Sequence, residues 1–577
     1  MNKNKKNTAS KRTQSLINLA LLIGIVIFIN ILGNARFGNR TFYGALDLTE
    51  EKRFTLTKAT RNQLKELDDV VFVQVLLEGK FPAGFKRLQT GVRELLDDFR
   101  AESRYIEYTF DDPMQGNTDE INARVKQLKE EGVQPVDLKV RDSDQETRQL
   151  IFPYAQLFYK GRSVRISLLE NDLGLDQEKI INNSIELLEY KFINAIQKLQ
   201  TAVKPVIALT TGHGELAPIE TADLERSLRQ YYEIGRLHLD SLSYISQDLA
   251  VLMVAKPRAP FSEKDKFKID QYVMNGGKVI WLLDKINVSL DSLRRAPKYF
   301  PTEYELNLDD LLFKYGIRIQ PNLVLDMQCS KIPQVVGMIE NKPQYEFYRY
   351  PYHLVVTSES MHPIARNLEV TNFLFASTID TVRTDTKLQK NILLRSSENS
   401  FLQYLPLEMN FEFLRYPLDP QRFNKSPQPL AVLLEGAFGS RYTNRLPQDF
   451  LDSLRRYDRS FREESTPTSM LIVSDGDIAK NKVDPTSGSY LPLGFNEFER
   501  YTFANKEFII NSIEYMLGDR GFIEARNKEV RLRLLNTVRA RAEESKWQLL
   551  NLVAPLVFLA LFGIGYNWLR RRRYARF

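Results

Sequence analysis

Two long apolar stretches stand near the ends of the sequence, and each is bordered by arginines and lysines. Residues 16–33 (LINLALLIGIVIFINILG) and 547–569 (WQLLNLVAPLVFLALFGIGYNWL) carry no charged side chain. As helices they would rise ~27 and ~35 Å, enough to cross a hydrocarbon layer about 30 Å thick. More than 500 residues of mixed composition lie between them. The expected architecture is therefore a large water-soluble mass tied to a membrane by a span at each end, with basic tails at residues 1–15 and 570–577.

The first tail holds Lys3, Lys5, Lys6, Lys11 and Arg12 and no acid. The bias of basic residues toward the cytoplasm keeps that tail inside. Two crossings then return the chain to the same side, which places both tails in the cytoplasm and the bulk in the periplasm of an inner membrane. A cleaved signal peptide is the rival reading, since Gly33-Asn34-Ala35 resembles a small-x-small cleavage site. The apolar run exceeds the usual 7–15-residue signal core, however, and Arg36 and Phe37 follow at once. Pro555 inside the second span is tolerated in membrane helices.

The net charge of +7 is concentrated in the tails and in residues 521–546, a basic amphipathic stalk. Its setting beside a span points to topology and anionic lipid, not to nucleic acid. Cys329 is the single cysteine, so size and not disulfides must supply the core.

Between the spans, short β-branched runs alternate with helical periodicity. Thr57 suits an N-cap for a helix over about 58–67. Residues 70–77 (VVFVQVLL) read as a buried strand, 84–101 as a helix, 105–110 as a strand, 118–131 as a helix and 136–140 as a strand. A helix carrying Ile181, Ile185, Leu188, Phe192, Ile196 and Leu199 as one stripe closes this small α/β domain, residues 41–200. A second α/β domain, residues 204–520, opens with the strand 205–210. A helix follows from about Pro218 to Tyr231, and strands at 234–239, 249–254 and 279–283 come after it. Ser262 begins a helix that stops at Asn275-Gly276-Gly277. An insertion at about 286–380 breaks the rhythm, which resumes at 392–395, 430–434 and 470–473. The fold class is α/β, a doubly wound sheet with a second, smaller domain.

Four segments then carry a resemblance: DLTEEKRFTLTKATRNQLKEL (47–67), KPVIALTTGHGE (204–215), NGGKVIWLLD (275–284) and LIVSDGDIA (471–479). In that order, between two spans, they resemble the ABC-transporter auxiliary proteins of the gliding-motility type. The resemblance implies a separate permease and a separate ATPase as partners, and a link to gliding and its secretion machinery and envelope proteins. It also implies a soluble domain similar to one shared with intraflagellar-transport proteins, related in fold to class I glutamine amidotransferases.

Two motifs stand where open α/β sheets bind ligands. Gly212-His213-Gly214-Glu215 follows a strand and precedes a helix, so its amides could draw an anion. Glu215 opposes that, and the pattern is too short for GxGxxG. A tight turn with a helix-capping glutamate is the plainer reading. Asp475-Gly476-Asp477 could offer oxygen ligands but falls far short of a calcium loop. An amidotransferase-like hydrolase would need Ser or Cys at the first turn, where only Thr211 and His213 are available. His213, His238, His353 and His362 lack metal spacing, and no Walker A sequence occurs. No catalytic residue, metal or cofactor is expected. The readings left open are a non-enzymatic transporter subunit, a periplasmic solute- or peptide-binding receptor, and, least supported, a hydrolase.

Overall fold

The computed structural model describes residues 55–518 (except 80, 131–132, 134, 143–144, 171–176, 201–202, 296–297, 340–341, 367, 457–459, 485–487 and 500) and 543–574. Before residue 55 it describes only Leu21, Gly24, Ile25, Phe28, Arg36, Phe37, Arg40 and Thr41. The expected first span, apart from the helical Leu21, Gly24, Ile25 and Phe28, and residues 521–542 of the expected basic stalk therefore lie outside the described residues. The chain divides into two compact units, Met1–Lys528 and Glu529–Phe577.

The architecture is mixed α/β with several sheets. The first is four-stranded: β1 (Val71–Val75), β2 (Ile106–Phe110), β3 (Tyr154–Tyr159) and β4 (Arg162–Ser167), in the order β2-β1-β3-β4. Thr57 caps the preceding helix Lys58–Lys65 by accepting from the Thr60 amide at 3.2 Å. Helix α1 (Ala83–Glu102) joins β1 to its parallel neighbour β2 and buries Phe85, Leu88, Val92, Leu96 and Phe99. The segment expected as a third strand instead forms its own hairpin, Val136–Asp142 with Gln145–Ile151. Pairing between these sequence neighbours closes a far shorter loop than docking on β1 would. That leaves the edge of β1 to β3, whose Ala155, Leu157 and Tyr159 point inward in strict alternation. The closing stripe is two helices, Gln177–Glu186 and α2 (Leu188–Gln200), broken at Leu187. Phe192 of α2 meets Phe99 edge to face at 6.5 Å.

The larger sheet contains β5 (Val206–Thr211), β6 (Glu233–His238), β7 (Leu249–Ala255), β8 (Lys278–Leu282), β9 (Leu388–Arg395), β10 (Pro429–Gly436) and β11 (Thr468–Val473). Their spatial order is β6-β5-β7-β8-β11-β10-β9. Pairing is parallel from β6 through β11 and antiparallel at β10 and β9. Near-continuous apolar runs are what such strands need, because both faces are covered. On β7, Val251, Met253 and Ala255 join one core with α3 (Ala222–Leu228) and α5 (Asn505–Met516). Leu252 and Val254 face the other core, against α4 (Glu263–Met274). Trp281 on β8 is wholly buried there.

Residues after β8 build a third, aromatic core around Tyr350, Tyr352, Phe375 and Phe423. It reaches beyond residue 380 because Asn322–Asp326 pairs antiparallel with Ser400–Tyr404. In the second unit, helix Glu544–Tyr574 contains one stretch long and apolar enough to cross a membrane, Lys546–Arg572, with mean hydropathy 2.1. Pro555 lies inside it.

Candidate functional site

The carboxyl ends of β5, β7, β8 and β11 share one rim of the parallel sheet, and both sequence motifs lie on it. The chain leaves β5 through Gly212 (φ +114) and Gly214 (φ +74), backbone that a side chain would strain. The His213 carbonyl accepts from the amides of Arg258 (2.7 Å) and Ala259 (2.8 Å), while the Leu216 amide donates to Ala255 O at 3.1 Å. The loops after β5 and β7 are thus hydrogen-bonded across the point where the strand order reverses. Backbone hydrogen bonds therefore bridge the place where such a sheet usually offers a ligand its crevice.

His213 is 5% exposed and stacks on Phe261, ring centroids 3.8 Å apart. Its Nδ1 lies 3.5 Å from Glu215 Oε1 and its Nε2 3.5 Å from Asp265 Oδ2. Burial alone would lower the histidine's pKa, but the two carboxylates outweigh it and the pKa is raised. Burial would likewise raise Glu215, yet His213 and the surrounding hydrogen bonds hold it below its ordinary value. Glu215 turns inward and accepts from the His213 amide at 2.7 Å. The cap of the following turn falls to Glu220, which accepts from the Ala217 amide at 2.9 Å. Asp265 in turn is held by Ser262 (2.7 Å) and Lys268 (2.8 Å).

The second motif is more deeply committed. Asp475 caps the short turn Gly476–Ala479, accepting from Asp477 N at 2.7 Å, and its other oxygen accepts from Leu374 N at 2.6 Å. Lys256, in the left-handed region at φ +54, follows β7 directly and sends its ammonium between Asp284 (2.9 Å) and Asp477 (2.5 Å). Asp284 also accepts from Gly476 N at 2.6 Å. A Cβ on Gly476 would stand 2.6 Å from Lys256 Cβ, so only glycine lets the two strands' ends meet. Burial, with Asp284 and Asp477 alongside, pushes the Asp475 carboxyl well above its usual range. Burial would do the same to Asp477, but Lys256, Lys480 and Arg258 overcome it and hold that carboxyl below. The lysine itself is pushed up, because the paired carboxylates outweigh its burial.

Lys480 reaches Glu220 at 3.2 Å and Asp477 at 4.0 Å, joining the two motifs along the rim. An ammonium held this firmly is neither a nucleophile nor a base, and it occupies the space a cation would take. Among the described residues, no group of three or more His, Cys, Asp or Glu is placed to hold a metal. Cys329 opens the strand Cys329–Ile339, and burial pushes its thiol up to about 12, so it carries little thiolate. The rim's chemistry is that of a clamp between strand ends.

Lys256 and Asp284 escaped the sequence reading, and Asp265 is legible there only as the last residue of a capping box opened by Ser262. Lys256 and Asp284 each stand at the end of an apolar strand run (LAVLMVA, KVIWLLD), the one local signal they give. Nothing local announces that they converge.

Comparison with known proteins adds the following. The profile of the family described as "ABC-type uncharacterized transport system" matches residues 204–512, more than half of the chain. A domain of unknown function matches residues 50–157. An uncharacterized protein of Borreliella burgdorferi is 22% identical over 457 residues, which cover 77% of this chain and 80% of the relative. Among solved structures, the mmIFT52 N-terminal domain aligns over 54% of this chain and 97% of its own, with 12% identity and a TM-score of 0.30.

Proposed function

The chain belongs to the family of ABC-type uncharacterized transport systems, and from that premise we propose that it is a non-enzymatic, membrane-anchored subunit of an ABC-type transporter complex. The observation that carries this reading is the family match across the seven-stranded sheet, in a chain that also holds the candidate membrane span Lys546–Arg572. In this reading a separate permease packs against the spans and a separate ATPase supplies the energy, since the sequence has no Walker A motif. Both termini are cytoplasmic and the bulk is periplasmic, as the basic tails favour. The order of the segments at 47–67, 204–215, 275–284 and 471–479 favours a finer placement beside GldG of Bacteroidota, with a role in gliding motility and its secretion apparatus. The domain limits 41–200 and 204–520, and an interface role for Gly212 to Glu215 and Asp475 to Asp477, belong to the same proposal.

A solute receptor that closes on a hinge is less well supported. Glu514 of α5 accepts from Tyr190, from Asn194 (3.2 Å) and from Lys198 (2.5 Å), all on α2. That buried contact ties the smaller sheet's closing helix to the larger sheet's last helix, leaving little freedom for a cleft between them.

The test is cross-linking in intact cells, then solubilisation and affinity purification of the full chain. Recovery of a polytopic permease and an ATP-hydrolysing subunit in fixed ratio is expected; recovery of the chain alone would overturn the reading. Protease protection in spheroplasts checks the orientation separately: the mass should be cut from outside.

A further inference from the structure

Away from the rim, two adjoining concavities of about 660 and 740 Å³ share Phe313 and Arg318 in their walls. Their acidic side chains already have partners. Asp310 accepts from Arg441 Nε (3.0 Å) and Nη2 (2.9 Å) and from Lys266, whose ammonium is wholly buried, at 2.9 Å. Lys285 spans Asp309 (2.9 Å) and Glu303 (3.3 Å), and Asp380 accepts from Gln320. Lys314 is paired with Asp385 at 2.9 Å. Three guanidinium groups remain, Arg318, Arg383 and Arg445, with no carboxylate partner among the described residues. Phe313, 52% exposed, is in the wall of both concavities, and the half-buried Ile392 is in the wall of the first.

We propose that these joined concavities bind an acidic, partly apolar peptide segment of a partner protein. Its carboxylates pair with Arg318, Arg383 and Arg445, and an apolar side chain lies against Phe313. The fork of a guanidinium matches a carboxylate in two parallel hydrogen bonds, and the acids nearby are already held by Lys266, Lys285, Arg441 and Gln320. A polynucleotide suits this surface poorly. Its evenly spaced phosphates would meet Glu303, Asp309 and Asp380, and no run of aromatic faces is offered for bases. A peptide can set its acids opposite the arginines and its apolar residues between them. The proposal does not depend on the transporter reading, because it follows from the charge balance of this surface alone.

The experiment uses the full chain in phosphatidylcholine nanodiscs and a fluorescent peptide of about twelve residues alternating Glu with Leu, a length that fits extended recognition. Saturable binding by anisotropy is expected. It should weaken at least about tenfold in R318A/R383A/R445A, the loss of roughly one charge-assisted pair. High salt should weaken it as well, and F313A should weaken it further without changing the salt response. Should the triple variant melt below the parent, R383A alone and F313A, both at exposed side chains, carry the comparison. Equal binding of the same peptide with Gln in place of Glu would overturn the proposal. So would unchanged binding in the folded variants, absence of binding, or displacement of the peptide by inorganic phosphate, an oligonucleotide or phosphatidylserine vesicles.

Discussion

The turn after β5 and the meeting of β7, β8 and β11 are neighbours on one rim, yet they are held in different ways. At the first, His213 sits between two carboxylates at 3.5 Å each, and ring stacking and backbone bonds do most of the fixing. At the second, an ammonium bonds at 2.5 and 2.9 Å to two acids, Asp477 and Asp284, brought from far apart in the sequence. The first is conspicuous in the sequence because its residues are contiguous and flanked by glycine. The second shows only Asp475-Gly476-Asp477 there, without Lys256 and Asp284, and carries the heavier electrostatic load. Prominence of a motif and commitment of its charges are separate properties.

The sharpest way to break that contrast is Lys256→Met. Removing the cation leaves Asp284 and Asp477 buried without their partner, and a loss of about 3–5 kcal/mol in urea unfolding is expected. A loss under about 1 kcal/mol would place this cluster with ordinary surface pairs. Next comes Gly476→Ala, whose methyl group would press on the Lys256 backbone and stem. Overpacking of that kind costs about 1–3 kcal/mol, read by the same titration. Gly214→Ala tests the first turn: its left-handed φ predicts about 1–2 kcal/mol, with Arg258 Cβ at 3.3 Å adding little. Smallest is the pH response of His213. Its folded pKa is raised above 6.5, so the stabilisation is complete below that value and is lost as pH rises through the folded pKa. The melting temperatures of the parent and of His213→Gln should therefore converge by ~1 °C or more between about pH 6 and 8. A gap that widens with pH would show that the carboxylates do not govern this imidazole.

Much of the fold was readable where one face or one run sufficed. The apolar strands expected at 249–254 and 279–283 stand at Leu249–Ala255 and Lys278–Leu282, and the Thr57 and Ser262 caps and the stop at Asn275-Gly276 are found in the structure. Long-range choices were not. The segment after Val136 has the look of a third strand, but its place was decided by pairing with its sequence neighbour Gln145–Ile151 and by the competing alternation of Tyr154–Tyr159. The unbroken stripe from Ile181 to Leu199 concealed a break at Leu187, because helical periodicity survives a one-residue interruption. At the rim, local pattern located Gly212 to Glu215 and Asp475 to Asp477 at strand ends. It could not supply Lys256 and Asp284, whose meaning arises only when the strand order places β7, β8 and β11 side by side.

The contact of Glu514 with Tyr190, Asn194 and Lys198 bears on how the protein can be handled in pieces. Residues 158–203 fall between the two profile matches and, among the described residues, supply the three side-chain donors to that carboxylate. Cutting the chain between residues 203 and 204, where the longer match begins, would strand an ammonium on one fragment and a desolvated acid on the other. Calorimetry of the intact chain should accordingly register both sheets melting in a single endotherm, while separately expressed halves should regain solubility only when mixed.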